Sequence, residues 1–224
     1  SGELHITDRY VSDGKGQQAK DSTLVRGTQE TVGWNKEGDS WSYRYPDGSL
    51  CRGRWESIEG QWYYFNIEGI MQTGWQLLDN QYFYLYPNGQ MAVGWAEMDG
   101  KWYYFCTGEE AGDTAGSMQG AGWRVIGPYY YYFNEDGSMY TGWLKQNGKQ
   151  YYLNTVDNSL KGALFTGWIK RDGKTYFADS NGEIAEGWCQ IDGNWYYFYP
   201  ESGELAYNTV INGFHVNQDG IWER

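Results

Sequence analysis

The sequence predicts an all-β fold, a solenoid of tandem β-hairpins, and three observations support this prediction. A Gly-Trp pair recurs at a nearly constant interval, turn dipeptides follow the pairs, and aromatic runs follow the turns. With the Trp of Gly53-Arg54-Trp55 filling one slot, the recurring tryptophans are Trp34, Trp55, Trp75, Trp95, Trp123, Trp143, Trp168 and Trp188. Their successive spacings are 21, 20, 20, 28, 20, 25 and 20 residues, so the period is 20 with insertions near 106–121 and 154–162.

Each repeat begins with a short strand, a tight turn and a second strand. Asp99-Gly100 and Asn147-Gly148 are typical of the turns, and Trp102-Tyr103-Tyr104-Phe105 is typical of the aromatic runs that follow them. Asp-Gly and Asn-Gly favour type I′ hairpin turns, because both central residues need positive φ. Aromatic residues suit the pleated strands on either side.

A second turn ends in glycine and returns the chain to the next Gly-Trp pair. A medium-sized apolar residue follows that glycine in each copy: Met71, Met91, Met118, Met139, Leu164, Ile184 and Leu205. A lone two-stranded hairpin is marginally stable in water. Stacked hairpins bury their aromatic faces on each other, and this is the reason for predicting a solenoid.

The repeat defines the predicted domain organisation. Residues 1–30 lack it and are interpreted as a linker or the edge of a removed N-terminal region. The tandem repeats span 31–207. Residues 208–224, where Asn208-Thr209 replaces Gly-Trp, are interpreted as a C-terminal capping segment. Nothing in the sequence shows a helical period.

Composition excludes several classes of function. The formal net charge of −12 argues against binding nucleic acid or docking on an anionic membrane. No apolar run reaches the length of a membrane span, so we expect no membrane insertion. A cationic or neutral ligand suits the charge, although acidic residues could equally serve to keep an exported protein soluble. Cys51, Cys106 and Cys189 form neither a metal-ligand spacing nor an even disulfide framework.

Enzymatic function has little support in the sequence. The two histidines, His5 and His215, lie in the leader and in the cap, and no nucleophile elbow, zinc-protease motif or phosphate loop occurs. Cys106 and Cys189 have no histidine near them in sequence. We therefore expect no catalytic residue, no metal and no cofactor.

The motif from Trp62 to Trp75 closely resembles the choline-binding or cell-wall-binding repeats of Gram-positive surface proteins. It is also similar to repeats of clostridial toxins and streptococcal glucan-binding proteins. The resemblance covers about 33–222. It implies a superhelical hairpin solenoid on the cell surface or secreted, usually appended to a catalytic or adhesive domain, that binds a choline-bearing cell-wall polymer.

The resemblance also implies which side chains hold the ligand. Choline groups would lie between consecutive hairpins, against the Gly-Trp tryptophan, the first aromatic of its run, and the corresponding aromatic of the next hairpin, closed by the Met slot. Carried over, the sets are Trp55, Trp62, Tyr82 with Met71; Trp75, Tyr82, Trp102 with Met91; Trp95, Trp102, Tyr130 with Met118; and Trp34, Trp41, Trp62 with Leu50. Gln150 and Thr175 interrupt the pattern, so we expect binding mainly in the first half of the array.

The residue chemistry fits this ligand and leaves alternatives. Aromatic faces attract a trimethylammonium group that has no N–H to donate. The same rings could stack on sugars, in which case the chain recognises a glucan or a host glycan. They could also serve packing alone, as in a structural spacer. A homodimer is left open.

Overall fold

The computed structural model describes residues 5–12, 18–25, 31–109 and 113–223, and this part of the chain contains β-strands and no helix. Strands β1 (His5–Ser12) and β2 (Gln18–Val25) form an antiparallel pair within the segment interpreted as a linker. The predicted domain boundaries and the role of residues 1–30 stay predictions.

Eight hairpins follow, each an antiparallel two-stranded sheet of its own. In chain order they are hairpin 1, β3 (Gly33–Glu37) and β4 (Ser40–Arg44); hairpin 2, β5 (Arg54–Ile58) and β6 (Gln61–Phe65); hairpin 3, β7 (Gly74–Leu78) and β8 (Gln81–Leu85); hairpin 4, β9 (Gly94–Met98) and β10 (Lys101–Phe105); hairpin 5, β11 (Gly122–Ile126) and β12 (Tyr129–Phe133); hairpin 6, β13 (Gly142–Gln146) and β14 (Lys149–Leu153); hairpin 7, β15 (Gly167–Arg171) and β16 (Lys174–Ala178); and hairpin 8, β17 (Gly187–Ile191) and β18 (Asn194–Phe198).

The segment predicted to be a cap forms a three-stranded antiparallel sheet. Its strands are β19 (Thr209–Ile211), β20 (Phe214–Val216) and β21 (Trp222–Glu223), in the order β19-β20-β21. Val216 is fully buried in it.

The hairpin turns have the geometry that their residues predict. Asp99 and Gly100 both have positive φ, 52° and 74°, as a type I′ turn requires. Hairpin 5 turns at Gly127-Pro128 instead, with φ of 58° at Gly127. Because the proline ring fixes a negative φ, this turn has the type II′ pattern, in which only the first central residue is left-handed.

The core of each hairpin lies at the end of its second strand. The final residue there is fully buried in seven hairpins, and opposite it stands the glycine of Gly-Trp or, in hairpin 2, Arg54. These buried residues are Phe65, Leu85, Phe105, Phe133, Leu153, Ala178 and Phe198.

The chain divides into two compact units, Ser1–Ala92 and Val93–Arg224. Within each unit, successive hairpins are joined by a recurring backbone hydrogen bond: the amide of the Met-slot residue donates to the carbonyl of the first aromatic slot one hairpin earlier. Met71 N–H reaches Trp41 O at 2.7 Å in the first unit, and Met139 N–H reaches Trp102 O at 2.7 Å in the second. The prediction of an all-β fold of tandem hairpins is confirmed.

Candidate functional site

The two faces of a hairpin carry different aromatic side chains, because neighbouring residues of a strand point to opposite faces. In hairpin 2, Trp55 is paired with Tyr64, and their rings lie 5.2 Å apart, on the face that also carries Trp62. Tyr63 and Phe65 lie on the other face, and both rings contact Trp34 of hairpin 1. A hairpin therefore presents its tryptophans to the following hairpin and the second residue of its aromatic run to the preceding one.

The first aromatic pocket lies in the first unit, between hairpins 1 and 2. Its walls are Trp34 and Trp41 of hairpin 1 with Tyr63 and Met71 of hairpin 2, and the turn residues Pro87 and Asn88 complete the lining. The Trp34 ring lies 4.8 Å from Tyr63 and 6.3 Å from Trp41, at steep angles to both. The pocket encloses about 430 Å³ and Trp41 is 38% exposed, so the rings are open to a ligand.

The second aromatic pocket repeats this arrangement in the second unit. Trp95 and Trp102 of hairpin 4 meet Tyr131 and Met139 of hairpin 5 around a space of about 200 Å³. The Trp95 and Tyr131 ring centres are 4.8 Å apart. Burial raises the pKa of the Tyr131 phenol. The inserted loop supplies the rest of the lining, with Asp157, Asn158, Ser159 and Lys161.

The third aromatic pocket lies between hairpin 8 and the cap. It is lined by Trp188, Trp195, Phe214 and Trp222 and has a volume of about 270 Å³. Phe214 lies 5.8 Å from Trp188 and 5.9 Å from Trp222, edge-on to both rings. The structure supplies Phe214 together with Trp222, a residue that lies outside the repeat pattern and was not predicted.

Elsewhere in the second unit the tryptophans are used for packing between hairpins. Trp143 contacts Tyr176 with ring centres 4.6 Å apart, and Trp168 contacts Tyr196 at 5.0 Å. Gln150 and Thr175 occupy the first-aromatic slots here, so each position lacks the second tryptophan wall. These positions therefore lack a wall, whereas the third pocket also lies in the second half of the array; the expectation that binding occurs mainly in the first half stays a prediction.

The structure groups the predicted site residues differently from the sets derived by resemblance. The third wall is the second residue of the next aromatic run: Tyr63 takes the place expected for Trp62, and Tyr131 that expected for Tyr130. Tyr130 is 54% exposed and its neighbour Tyr131 only 4%. Strand alternation is the reason, since Trp62 cannot line the pockets on both faces of its hairpin.

The closing methionine also comes from the following hairpin. Met71, expected with Trp55 and Trp62, lines the first pocket, and Met139 takes the place expected for Met118 in the second. The interhairpin backbone hydrogen bond places the Met slot against the preceding tryptophans. By the same bond, Met91 N–H reaches Trp62 O at 2.9 Å, which assigns Met91 to hairpins 2 and 3. Leu50 instead lies beside Gly69.

Two further predicted sets lack the expected grouping. Trp55 contacts Phe83, with ring centres 5.0 Å apart, in place of Tyr82. Phe83 is 4% exposed, whereas Trp62 is 46% exposed. Trp75 and Tyr82 are 41% and 49% exposed in the first unit, and the set that combines them with Trp102 of the second unit stays a prediction.

Charged groups form a cluster at the edge of hairpin 2. Arg54 Nη2 donates to Glu56 Oε2 at 2.8 Å, and both side chains bond the Tyr45 hydroxyl. The hydrogen bond from Tyr45 lowers the pKa of the Glu56 carboxyl, and burial raises the pKa of the Tyr45 phenol. The cluster covers Cys51, which is fully buried. Its polar groups hydrogen-bond to one another, so the cluster has the character of a structural network.

No group of three or more potential metal ligands occurs among residues 5–12, 18–25, 31–109 and 113–223. In the same part of the chain, no helix has the length and apolar character to cross a bilayer.

The fold and the pockets define a class: tandem β-hairpin repeat proteins that build ring-lined sites between consecutive copies. Comparison with protein families agrees with this class and narrows it. A choline-binding repeat model matches residues 51–93, 72–111, 121–160 and 165–209, and a cell wall binding repeat model matches residues 32–50. The chain belongs to the choline-binding repeat family and is a cell-wall-binding module.

Solved structures include close matches to the fold. Choline binding protein F from Streptococcus pneumoniae, solved with a peptidoglycan analogue, is 28% identical; the match covers 100% of this chain and 71% of that one, with a TM-score of 0.70. The choline-binding domain of CbpL from the same organism is 25% identical over 87% of this chain and 98% of that one, with a TM-score of 0.59. The modular autolysin LytC, also from S. pneumoniae, is 23% identical over 86% and 42%, with a TM-score of 0.58, and supports the fold alone. Curated protein sequences give no match.

Proposed function

We propose that this chain is a non-catalytic module that attaches to the bacterial cell wall by holding choline groups of a wall polymer in its aromatic pockets. The observation that carries the proposal is the convergence of Trp34, Trp41 and Tyr63 with Met71 around an open space, repeated with Trp95, Trp102, Tyr131 and Met139. The repeat family supports the same ligand. The proposed location is the outside of the cell, at the wall.

The pocket chemistry suits a quaternary ammonium ion. Trimethylammonium has no N–H, so a carboxylate gains no hydrogen bond with it, whereas ring faces attract its charge and its methyl groups contact the thioether of Met. Each ring contributes about 0.5–2 kcal/mol depending on its exposure. Three rings then correspond to roughly millimolar affinity for a single site.

Several weak sites on one chain compensate for this affinity. Once one pocket holds a choline group of a repetitive polymer, the others meet their ligands at a high effective concentration. The net charge of −12 favours the approach of cationic ligands. The repeats are therefore part of the proposed binding mechanism.

Calorimetry with small ligands tests the proposal. We expect choline and tetramethylammonium to give saturable heats at millimolar concentration. We expect 3,3-dimethylbutan-1-ol, which has choline's shape without its charge, to bind at least about tenfold more weakly, because the cation–π attraction is absent. Dextran serves as the glycan arm: saturable heat from dextran without heat from choline would overturn the proposal in favour of sugar recognition.

Retention on immobilised choline then tests the pocket residues. Trp41→Ala, Trp102→Ala and Trp195→Ala each remove one wall from a different pocket and should each reduce retention. Tyr129→Ala is the matched control, because Tyr129 is 41% exposed and is not among the pocket walls. Equal loss in all four variants would mean that general destabilisation, and not ligand contact, explains the effect.

A further inference from the structure

We propose that the second aromatic pocket binds a zwitterion, with its quaternary ammonium between the rings and its anionic group on the Lys161 ammonium at the rim. The inference rests on the proposed recognition of choline groups and narrows the ligand of this one pocket.

Lys161 connects two cavities. It lines the second aromatic pocket and also a polar cavity of about 320 Å³, and Trp102 and Met139 line both as well. The remaining lining of the polar cavity is Gly100, Lys101, Asn134, Ser138, Tyr140 and Thr141. The two cavities therefore share Trp102, Met139 and Lys161, and the second one is lined by ammonium and hydroxyl groups.

Charge decides which ligand fits. An ammonium beside a ring-lined site repels a bare cation and attracts an anion attached to that cation. Lys161 Nζ is held by Asp157 Oδ1 at 3.1 Å, but the Asp157 side chain is 88% exposed. An exposed pair of this kind is weak, so an incoming anion can replace Asp157 as the partner of Lys161.

Neighbouring groups favour Lys161 over Lys101 as the anion site. Lys101 Nζ bonds Asp136 Oδ2 at 2.8 Å, and Ser138 also bonds this carboxylate, so the ammonium has a well-held partner. The Ser159 hydroxyl lines the second aromatic pocket together with Lys161. It can donate to an anion oxygen, which adds a second contact.

The lining of this pocket differs from that of the other two, although at the first pocket Lys36 Nζ also lies 5.6 Å from the centre of the Trp41 ring. The first pocket is completed by Pro87 and Asn88, and the third is lined by aromatic rings alone. The lysine of the second pocket lies in the insertion near 154–162 that interrupts the repeat period. The insertion thus adds to the second aromatic pocket a lysine that can bind an anionic group next to the quaternary ammonium of the ligand.

Two kinds of zwitterion share this chemistry. A choline phosphodiester places phosphate oxygens near the ammonium ion, and a betaine places a carboxylate there. The test uses the full chain carrying Trp41→Ala and Trp195→Ala, so that the second pocket dominates the measured binding. Calorimetry compares choline, glycerophosphocholine and glycine betaine at the same low ionic strength.

We expect at least one zwitterion to bind about three- to tenfold more tightly than choline. Lys161→Met should abolish this preference and leave choline bound at least as tightly as before, because the repulsion is removed and Asp157 is released. Asp157→Asn should increase the preference, because it frees Lys161. Lys170→Met, an exposed lysine of β15, is the matched control and should leave the ratio unchanged.

The outcomes separate the two proposals. Tighter binding of glycerophosphocholine indicates a phosphate partner, and tighter binding of glycine betaine indicates a carboxylate. Choline binding without any zwitterion preference, or a preference that persists in Lys161→Met, overturns the zwitterion inference and leaves choline recognition standing. Absence of choline binding in the chain carrying Trp41→Ala and Trp195→Ala, with circular dichroism that matches the parent, overturns the inference for the second pocket, and absence of choline binding in the parent chain as well overturns both.

Discussion

The strand face on which an aromatic residue lies decides its use in this protein. Phe65, Phe105, Phe133 and Phe198 are fully buried at the ends of their strands and hold the hairpins together. Trp41 and Trp195 are 38% and 40% exposed and offer ring surface to a ligand. Tyr63 and Tyr131 do both, because each packs against a tryptophan of the preceding hairpin and also lines a pocket.

The neighbouring residues Trp62 and Tyr63 provide a test of this division. In a chain carrying Trp102→Ala and Trp195→Ala, Tyr63→Leu should weaken choline binding at the first pocket roughly five- to tenfold, because it removes one ring face and keeps an apolar side chain. Trp62→Leu should change the affinity less than about twofold, since Trp62 lies on the opposite face. Titration calorimetry measures both, and a larger effect from Trp62→Leu would restore the grouping expected from resemblance.

At the scale of the element, the second-turn glycines are needed for space as well as for conformation. Gly89 has a φ of +83°, and a Cβ built on it would lie 2.2 Å from Met71 Sδ. Gly60, in the tight turn of hairpin 2, has a φ of +78° and nothing within 4 Å. The same backbone strain is thus combined with a steric clash at only one of these two positions.

Alanine substitutions separate strain from clash. Gly60→Ala should destabilise the chain by about 1–2 kcal/mol through its left-handed φ alone. Gly89→Ala should cost at least about 1 kcal/mol more, because Met71 has to move, and choline binding at the first pocket should weaken with it. Urea unfolding and calorimetry measure the two effects. Equal unfolding free energies for both variants would show that Met71 relocates at no cost.

Ion pairs between consecutive hairpins supplement the aromatic packing in the second unit. In each pair, a lysine at the start of the second strand of one hairpin bonds an acidic residue in the turn that follows the next hairpin. Lys101 of hairpin 4 bonds Asp136 after hairpin 5 in this way. Lys149 and Glu183, and Lys174 and Glu204, repeat this arrangement at later hairpins. The repetition indicates that these exposed pairs favour the correct register of neighbouring copies.

The Lys101–Asp136 pair predicts a pH dependence. The hydrogen bond from Lys101 holds the pKa of the Asp136 carboxyl well below its ordinary value of about 4. A lowered native pKa contributes stability that is present above the ordinary value and is lost as the pH falls through the native one.

Lys101→Met should therefore be slightly less stable than the parent at neutral pH, and the difference should shrink in acid below about pH 4. Lys145→Met on β13 is the control and should show no such trend. Thermal unfolding over this pH range measures the difference. A difference that grows in acid would contradict the assigned partner.

At the scale of the whole molecule, the pockets occur in both units. The first lies in Ser1–Ala92, and the second and third lie in Val93–Arg224. Each is expected to bind a free choline group only weakly. Firm attachment to a wall polymer consequently depends on several pockets being occupied at once.

Removing pockets should affect polymer and free ligand differently. The variant with Trp41→Ala and Trp195→Ala should retain about the same affinity for free choline at the second pocket. Its affinity for a surface bearing many choline groups should fall at least about tenfold, because the effective-concentration gain is lost. Surface plasmon resonance on such a surface, beside calorimetry with choline, measures the contrast. Proportional losses in both assays would indicate that the pockets act independently.

Much of the fold could be predicted because its rules are local. The Gly-Trp period, the Asp-Gly and Asn-Gly turns and the aromatic runs act within about 20 residues, and they determined the hairpins, their number and the tryptophans of the first two pockets. The partner across each pocket was less accessible. The identity of this partner depends on which face of the next hairpin packs against the preceding one. The resemblance assigned Trp62 to the first pocket, where the structure has Tyr63.

The sequence by itself thus determined a chain of aromatic hairpins of the choline-binding repeat type in which each intact copy carries a tryptophan and a second Trp or Tyr in the two slots. The tertiary structure decided what those tryptophans meet: Tyr63 and Met71 in the first pocket, the insertion with Lys161 in the second, and Phe214 with Trp222 in the third. The physical reason is distance along the chain. Turn and strand preferences are set by adjacent residues, whereas a pocket wall is set by hydrogen bonds and packing between copies some 20 to 60 residues apart.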